Sequence, residues 1–121
     1  MKKILFIEDE ETLQETFGDV LRQNKLEVIK SLDGEKGLEL AKSEKPDAIL
    51  LDLILPKMHG FEVLKKLKED PETKDIPVLI LTNLEGADQV EKAIELGATT
   101  YLVKTSYSLN EMVKKIKEVI K

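Results

Sequence analysis

Cysteine is absent from this chain of 121 residues and histidine occurs once, which removes disulfides, thiolate chemistry and the usual nitrogen and sulfur ligand sets for zinc. A metal bound here must be held by oxygen. Long apolar runs are also missing. After Met1-Lys2-Lys3 only four apolar residues precede Glu8-Asp9-Glu10-Glu11, too few for a secretory signal or a membrane span. A cytoplasmic protein without membrane association is the expectation. Positive charge is not in excess either: charged residues make up 36% of the chain, both signs are interspersed, and the formal net charge is −5. Such a surface repels a phosphate backbone, so no direct nucleic-acid partner is expected. Long linkers, repeats and low-complexity stretches are lacking, and 41% apolar content is enough to fill one core. The expectation is one domain over residues 1–121, with nothing after its last helix to act as an output domain.

What is present is a set of four greasy runs, each ending in a residue able to handle phosphate or a metal ion. Ile4 to Ile7 ends at Glu8 and Asp9, Ala48 to Leu51 at Asp52, Val78 to Leu81 at Thr82, and Tyr101 to Val103 at Lys104. Between the runs the apolar period changes from strand-like to helical and back, giving a β-α pattern five times over. The first helix is predicted from about Glu11 to Asn24, with Leu13, Phe17, Val20 and Leu21 as its apolar stripe. Val28 to Ser31 is a short, half-polar strand suited to a sheet edge, and Asp33-Gly34 starts the next helix, with Leu38 and Ala41 on its buried side.

The turn Pro56 to Gly60 leads into a helix carrying Phe61, Leu64 and Leu67, which Asp70-Pro71 breaks. Pro77 opens the fourth strand, and a helix from about Ala87 to Leu96 has Val90, Ala93 and Ile94 inward and Gly97 as its stop. Ser108-Leu109-Asn110-Glu111 has the form of a capping box, opening a final amphipathic helix.

Right-handed crossovers place helices on both faces of a parallel sheet, and strands apolar on both faces belong in its centre. This predicts an α/β, doubly wound (βα)5 fold with strand order 2-1-3-4-5. Chain direction then reverses between the first and third strands, and the crevice opens where Glu8, Asp9 and Asp52 converge. Three carboxylates packed together raise one another's pKa, and a hard divalent cation with oxygen ligands relieves them. Magnesium is the expected ion. Two charges from Mg²⁺ and one from Lys104 cancel the three negative charges, so a phosphoryl group approaching Asp52 meets a neutralised site.

Taken singly, each residue has a structural explanation. Acidic residues ahead of a helix cap free amides, Asp52 and Thr82 suit strand-end turns, and Lys104 is one lysine among many. Coincidence shifts the balance: every strand end bordering the predicted crevice carries a complementary group, while the outer second strand ends in Ser31. His59 is given no role, since a lone loop histidine is usually solvated.

The joint pattern Glu8-Asp9, Asp52, Thr82, Lys104 closely resembles the receiver domain of two-component response regulators, the CheY-like family with a flavodoxin-like fold, over essentially the whole chain. The resemblance implies that the acidic pair and Asp52 hold Mg²⁺ with the backbone carbonyl two residues on, which falls on Ile54. It implies that Asp52 takes a phosphoryl group from a phosphohistidine on a sensor histidine kinase or histidine phosphotransfer protein, with Thr82 and Lys104 binding the phosphoryl oxygens and Tyr101 at the aromatic switch position. It further implies donor docking beside Thr12, Leu13 and Thr16, and a downstream protein reading the surface of the fourth helix, fifth strand and fifth helix. Ile54 and Leu84 would flank the route of hydrolytic water.

Three residues depart from the family pattern. Glu8 stands where Asp is usual and reaches the metal directly or through water, and Asn83 replaces a small residue. Thr105 replaces a proline that follows a cis peptide bond; a cis Lys104–Thr105 bond is expected nevertheless, to aim the lysine back into the crevice. Two rival functions are disfavoured. An aspartyl phosphatase needs a second acid where Ile54 stands, and a flavodoxin-like electron carrier needs a phosphate-binding turn where Glu8 to Glu11 stand. The remaining alternative is a receiver-like interaction module that is never phosphorylated.

Overall fold

The greasy runs are the strands of one sheet. A computed structural model, describing residues 1–120, orders the elements as β1 (Lys2–Ile7), α1 (Glu11–Gln23), β2 (Leu26–Ser31), α2 (Gly34–Glu44), β3 (Ala48–Leu51), α3 (Gly60–Glu69), β4 (Val78–Thr82), α4 (Ala87–Glu95), β5 (Thr100–Val103) and α5 (Leu109–Val119). All pairings are parallel and the strand order is β2-β1-β3-β4-β5, as the polarity of the runs predicts. The first two strands begin earlier than the apolar patterns suggest, at Lys2 and Leu26, because ladder pairing continues through half-polar residues.

Successive side chains of a strand point to opposite faces, so a strand that is apolar at every position feeds two cores. Ile4, Phe6, Leu50, Leu79 and Leu81 face one core, with Phe17 and Leu21 of α1 and Met112, Val113 and Ile116 of α5. The rings of Phe6 and Phe17 meet edge to face at 5.7 Å. Leu5, Ile7, Ile49, Leu51 and Ile80 face the other core, with Val63, Leu64 and Leu67 of α3. Every residue of β3 and β4 is buried, and the ends of this rigid floor set the geometry of the crevice.

Helix ends are closed by the expected devices. Asp33 accepts from the Lys36 amide at 2.8 Å, and Gly97 follows α4 with φ +104°, a backbone conformation that favours glycine. Ser108 accepts from the Glu111 amide at 3.1 Å while Glu111 accepts from the Ser108 amide at 2.8 Å, completing the capping box. Ser108→Ala is expected to lower unfolding free energy by about 1 kcal/mol, measured by urea denaturation, and an unchanged midpoint would contradict the cap's role.

The fourth helix departs from expectation. Ile94, expected inward, is 50% exposed, Val90 is only partly buried, and Ala93 is the one buried residue of α4. The apolar stripe is real, but the helix is lightly seated and part of it faces outward. Phe61 is likewise half-buried, while Val63 takes an inward place beside Leu64.

Candidate functional site: an acidic crevice at the carboxyl edge of the sheet

Two backbone hydrogen bonds extend the sheet beyond its strands and align the acids. The Glu8 amide donates to the Ser31 carbonyl at 2.9 Å, and the Asp52 amide donates to the Ile7 carbonyl at 3.1 Å. Both carboxylates therefore leave neighbouring strands at one edge. Glu8 is fully buried and Asp52 is 4% exposed, whereas Asp9 is open to solvent. One carboxylate oxygen from each of Glu8, Asp9 and Asp52 lies within 4.8 Å of the others.

Lys104 joins them from the opposite side of the sheet's centre. Its ammonium lies 2.9 Å from Asp52 Oδ2 and 2.7 Å from Glu8 Oε1. The contact with Asp52 is a hydrogen bond, and that with Glu8 is a close ion pair. Glu8 Oε2 accepts from the Glu10 amide at 3.1 Å, and Asp52 Oδ1 from the Ile54 amide at 3.1 Å.

The Lys104–Thr105 bond is trans, against the cis bond expected from the sequence. A short 3₁₀ turn from Lys104 to Ser106 carries the chain away, and the flexible stem of the lysine covers the remaining distance to Asp52, so no unusual peptide is needed.

Burial pushes the Glu8 carboxyl up to about 7, the Asp52 charge adds to this, and Lys104 and the Glu10 amide only partly oppose it. Burial also pulls the Lys104 ammonium down, but its two carboxylate partners outweigh that and hold it above its ordinary value. Lys104 is therefore charged at neutral pH, and Glu8 is the group whose ionisation burial restrains. A carboxyl with a raised folded-state pKa contributes stability that is complete below about 4.5 and lost as pH rises through about 7. The Glu8 contribution to thermal melting in EDTA is expected to fall between about pH 4.5 and pH 7 and to level off above that, and Glu8→Gln to remove this fall; wild-type and Glu8→Gln melts with the same pH dependence would contradict this.

The donor set suits magnesium. It consists of oxygens from three carboxylates within 4.8 Å of one another, and it holds more carboxylates than Lys104 alone can pair. Thr82 is fully buried at the end of β4, and its hydroxyl accepts from the Leu84 amide at 3.4 Å. Tyr101 is half-buried on β5, and its hydroxyl donates to the Leu84 carbonyl at 2.8 Å. Burial, then the Asp52 charge, raises the Tyr101 phenol above its ordinary value. Ile54 is 52% exposed beside Asp52, and Asn83 is exposed.

Sequence reasoning missed Gln14. It is buried, and its amide nitrogen lies 2.8 Å from the Ser31 carbonyl and 3.2 Å from those of Phe6 and Glu8. It ties the ends of β1 and β2 together directly beneath Glu8. The available signal was a polar residue three before Phe17 on the inward face of α1.

A model of the response regulator receiver domain matches residues 4–117. The chain is 43% identical over 121 residues to the transcriptional regulatory protein CiaR of Streptococcus pneumoniae, covering all of this chain and 52% of that protein. It is 34% identical over 103 residues to the polar-differentiation response regulator DivK of Brucella anthropi, covering 85% of this chain and 84% of DivK. The chain spans about half the length of CiaR and of several other curated relatives it matches. Among solved structures, the chemotaxis protein CheY4 of Vibrio cholerae superposes with a TM-score of 0.91 at 28% identity, covering 98% of each chain. The non-phosphorylated HemR receiver domain of Leptospira biflexa gives 0.90 at 31% identity, covering 100% of this chain and 95% of that one.

Proposed function

This chain belongs to the response regulator receiver domain family, the signalling domains of two-component systems, and from that premise we propose that it accepts a phosphoryl group on Asp52 in a magnesium-dependent reaction. The donor is a phosphohistidine on a sensor histidine kinase or a histidine phosphotransfer protein. One observation carries the reading: Lys104 bridges the buried Glu8 and Asp52 within an acidic cluster completed by Asp9. Glu8, Asp9, Asp52 and the Ile54 carbonyl would hold Mg²⁺, which supplies charge neutralisation for the transferring group.

A carboxylate oxygen of Asp52 attacks phosphorus. The new P–O bond forms as the P–N bond breaks, and the histidine nitrogen leaves with the electron pair and takes up a proton. Lys104 and the Thr82 hydroxyl bind the phosphoryl oxygens, replacing the contacts that Lys104 makes with Asp52 and that Thr82 makes with the Leu84 amide. Drawing Thr82 inward frees the Leu84 segment that Tyr101 holds, and the surface of α4, β5 and α5 shifts for a downstream protein. Hydrogen bonds to charged groups contribute roughly 1.5–3 kcal/mol each. Converting a 1:99 mixture to 99:1 needs about 5.5 kcal/mol, so two or three such bonds suffice. The light seating of α4 supports this element as the mobile one. Donor docking is assigned to the side of α1 bearing Thr12, Leu13 and Thr16, and the approach of hydrolytic water to the flanks Ile54 and Leu84.

Incubation of the purified chain with acetyl phosphate separates this function from a binding module that is never phosphorylated. Incorporation with Mg²⁺ and none in EDTA is the expected result. Absence of incorporation in both, from a folded protein, would leave the interaction module as the better reading.

A further inference from the structure

A concavity lies outside the acidic crevice. It is a groove of about 650 Å³ between α3 and α4, within the range of small-molecule sites. We propose that this groove is a separate ligand site for small planar aromatic carboxylates.

Its shape follows from how α4 is seated. Only Ala93 of that helix is buried, so most of its surface is left open. Gln89, Lys92 and Leu96 repeat at helical spacing along one side, and Phe61 and Lys65, one turn apart on α3, line the other. Seven residues of helix span about 10 Å, the length of a fused bicyclic ring. Phe61 and Leu96 are half-buried and form an apolar floor.

Its charge selects the ligand. Lys65 and Lys92 are exposed, and among the described residues neither forms an ion pair with a carboxylate. Glu62 is the one acid of the lining, and it lies 3.7 Å from the Lys66 ammonium. A net positive groove on a chain of net charge −5 favours an anion at this place over its surroundings. The groove already accommodates flat and cationic groups against an aromatic ring. The His59 ring stacks on Phe61 at 5.1 Å and 26°, and the Lys92 ammonium sits 4.9 Å from the Phe61 centroid. An aromatic body that displaces the Lys92 ammonium from the Phe61 ring and covers Phe61 and Leu96 would bring its carboxylate between the Lys65 and Lys92 ammoniums. None of these residues touches the phosphoacceptor crevice, and the groove is that of the unphosphorylated chain, in which it is tested.

The test is titration of the full chain, uniformly ¹⁵N-labelled, with 2-naphthoate, followed by amide chemical shifts, with 2-naphthalenemethanol as the neutral counterpart. Saturable shifts confined to α3, α4 and His59 are expected with the carboxylate, and at least about tenfold weaker binding of the alcohol, the loss of roughly one charge-assisted contact. Lys65→Gln combined with Lys92→Gln should weaken naphthoate to the level of the alcohol while leaving the remaining spectrum and acetyl phosphate labelling unchanged. Single Lys92→Gln, at an exposed position, is the second variant should the pair perturb the fold, and it should weaken binding in the same direction. Shifts that are absent, scattered or centred on the acidic crevice, equal binding of the alcohol, or no effect of the lysine substitutions would each overturn the proposal.

Discussion

Asp52→Asn is expected to reduce phosphoryl incorporation from acetyl phosphate to background while the protein remains folded. The amide matches the carboxylate in shape and can still occupy a pocket that is 4% exposed, but it lacks the anionic oxygen that attacks phosphorus and weakens the acidic cluster. The substitution also removes a negative charge that raises the Glu8 pKa, so Glu8 ionises more readily and pairs with Lys104 in a simpler environment. Folding stability in EDTA is therefore maintained or raised, and a melting curve recorded beside the labelling assay separates loss of chemistry from loss of structure. Labelling of Asp52→Asn at the wild-type level would remove Asp52 from the account.

The second large effect is structural and lies directly under the same residue. Gly60 opens α3, and its amide donates to the Leu53 carbonyl at 2.8 Å, folding the turn back against the end of β3. A methyl group at Gly60 would collide with the Leu53 Cα and lie 2.5 Å from the Asp52 carbonyl oxygen. Both are backbone atoms, and the Asp52 amide is itself bonded to Ile7, so no side-chain rotation relieves the clash. Gly60→Ala is expected to cost about 3 kcal/mol or more, since overpacking against backbone forces the chain to shift. For a domain of this size that is a fall in melting temperature on the order of 10 °C. The displaced Asp52 should also accept phosphate more slowly than wild type. A melt indistinguishable from wild type would show that the β3–α3 turn is softer than its contacts indicate.

Much of this was legible because the signal is local. A strand apolar at every position must be covered on both faces, so Ala48–Leu51 and Val78–Thr82 fall in the centre of the sheet, and half-polar Leu26–Ser31 at its edge. Once the strand order follows, the carboxyl ends of β1 and β3 are neighbours and Glu8, Asp9 and Asp52 must meet. Ser108 and Glu111 are read from four consecutive residues. What escaped depends on contacts between distant segments. Gln14 looks like any helix glutamine until three carbonyls from β1, β2 and the loop after β1 surround it. Ile94 fits an inward stripe, yet which part of a short stripe is covered depends on how closely α4 approaches the sheet. The trans Lys104–Thr105 bond escaped because the reach of a lysine stem is decided by the path of the turn after β5.

The central claim is that Asp52 is the acceptor in a crevice assembled from four strand ends. The most direct measurement is to treat the wild-type chain with acetyl phosphate and Mg²⁺, reduce it with borohydride, which converts an aspartyl phosphate to homoserine, and sequence the peptides by mass spectrometry. Homoserine at position 52 and nowhere else, absent when Mg²⁺ is withheld, is the predicted result. Homoserine derived from Asp9 or another acid, or an unmodified Asp52 in a chain that has taken up phosphate, would contradict it.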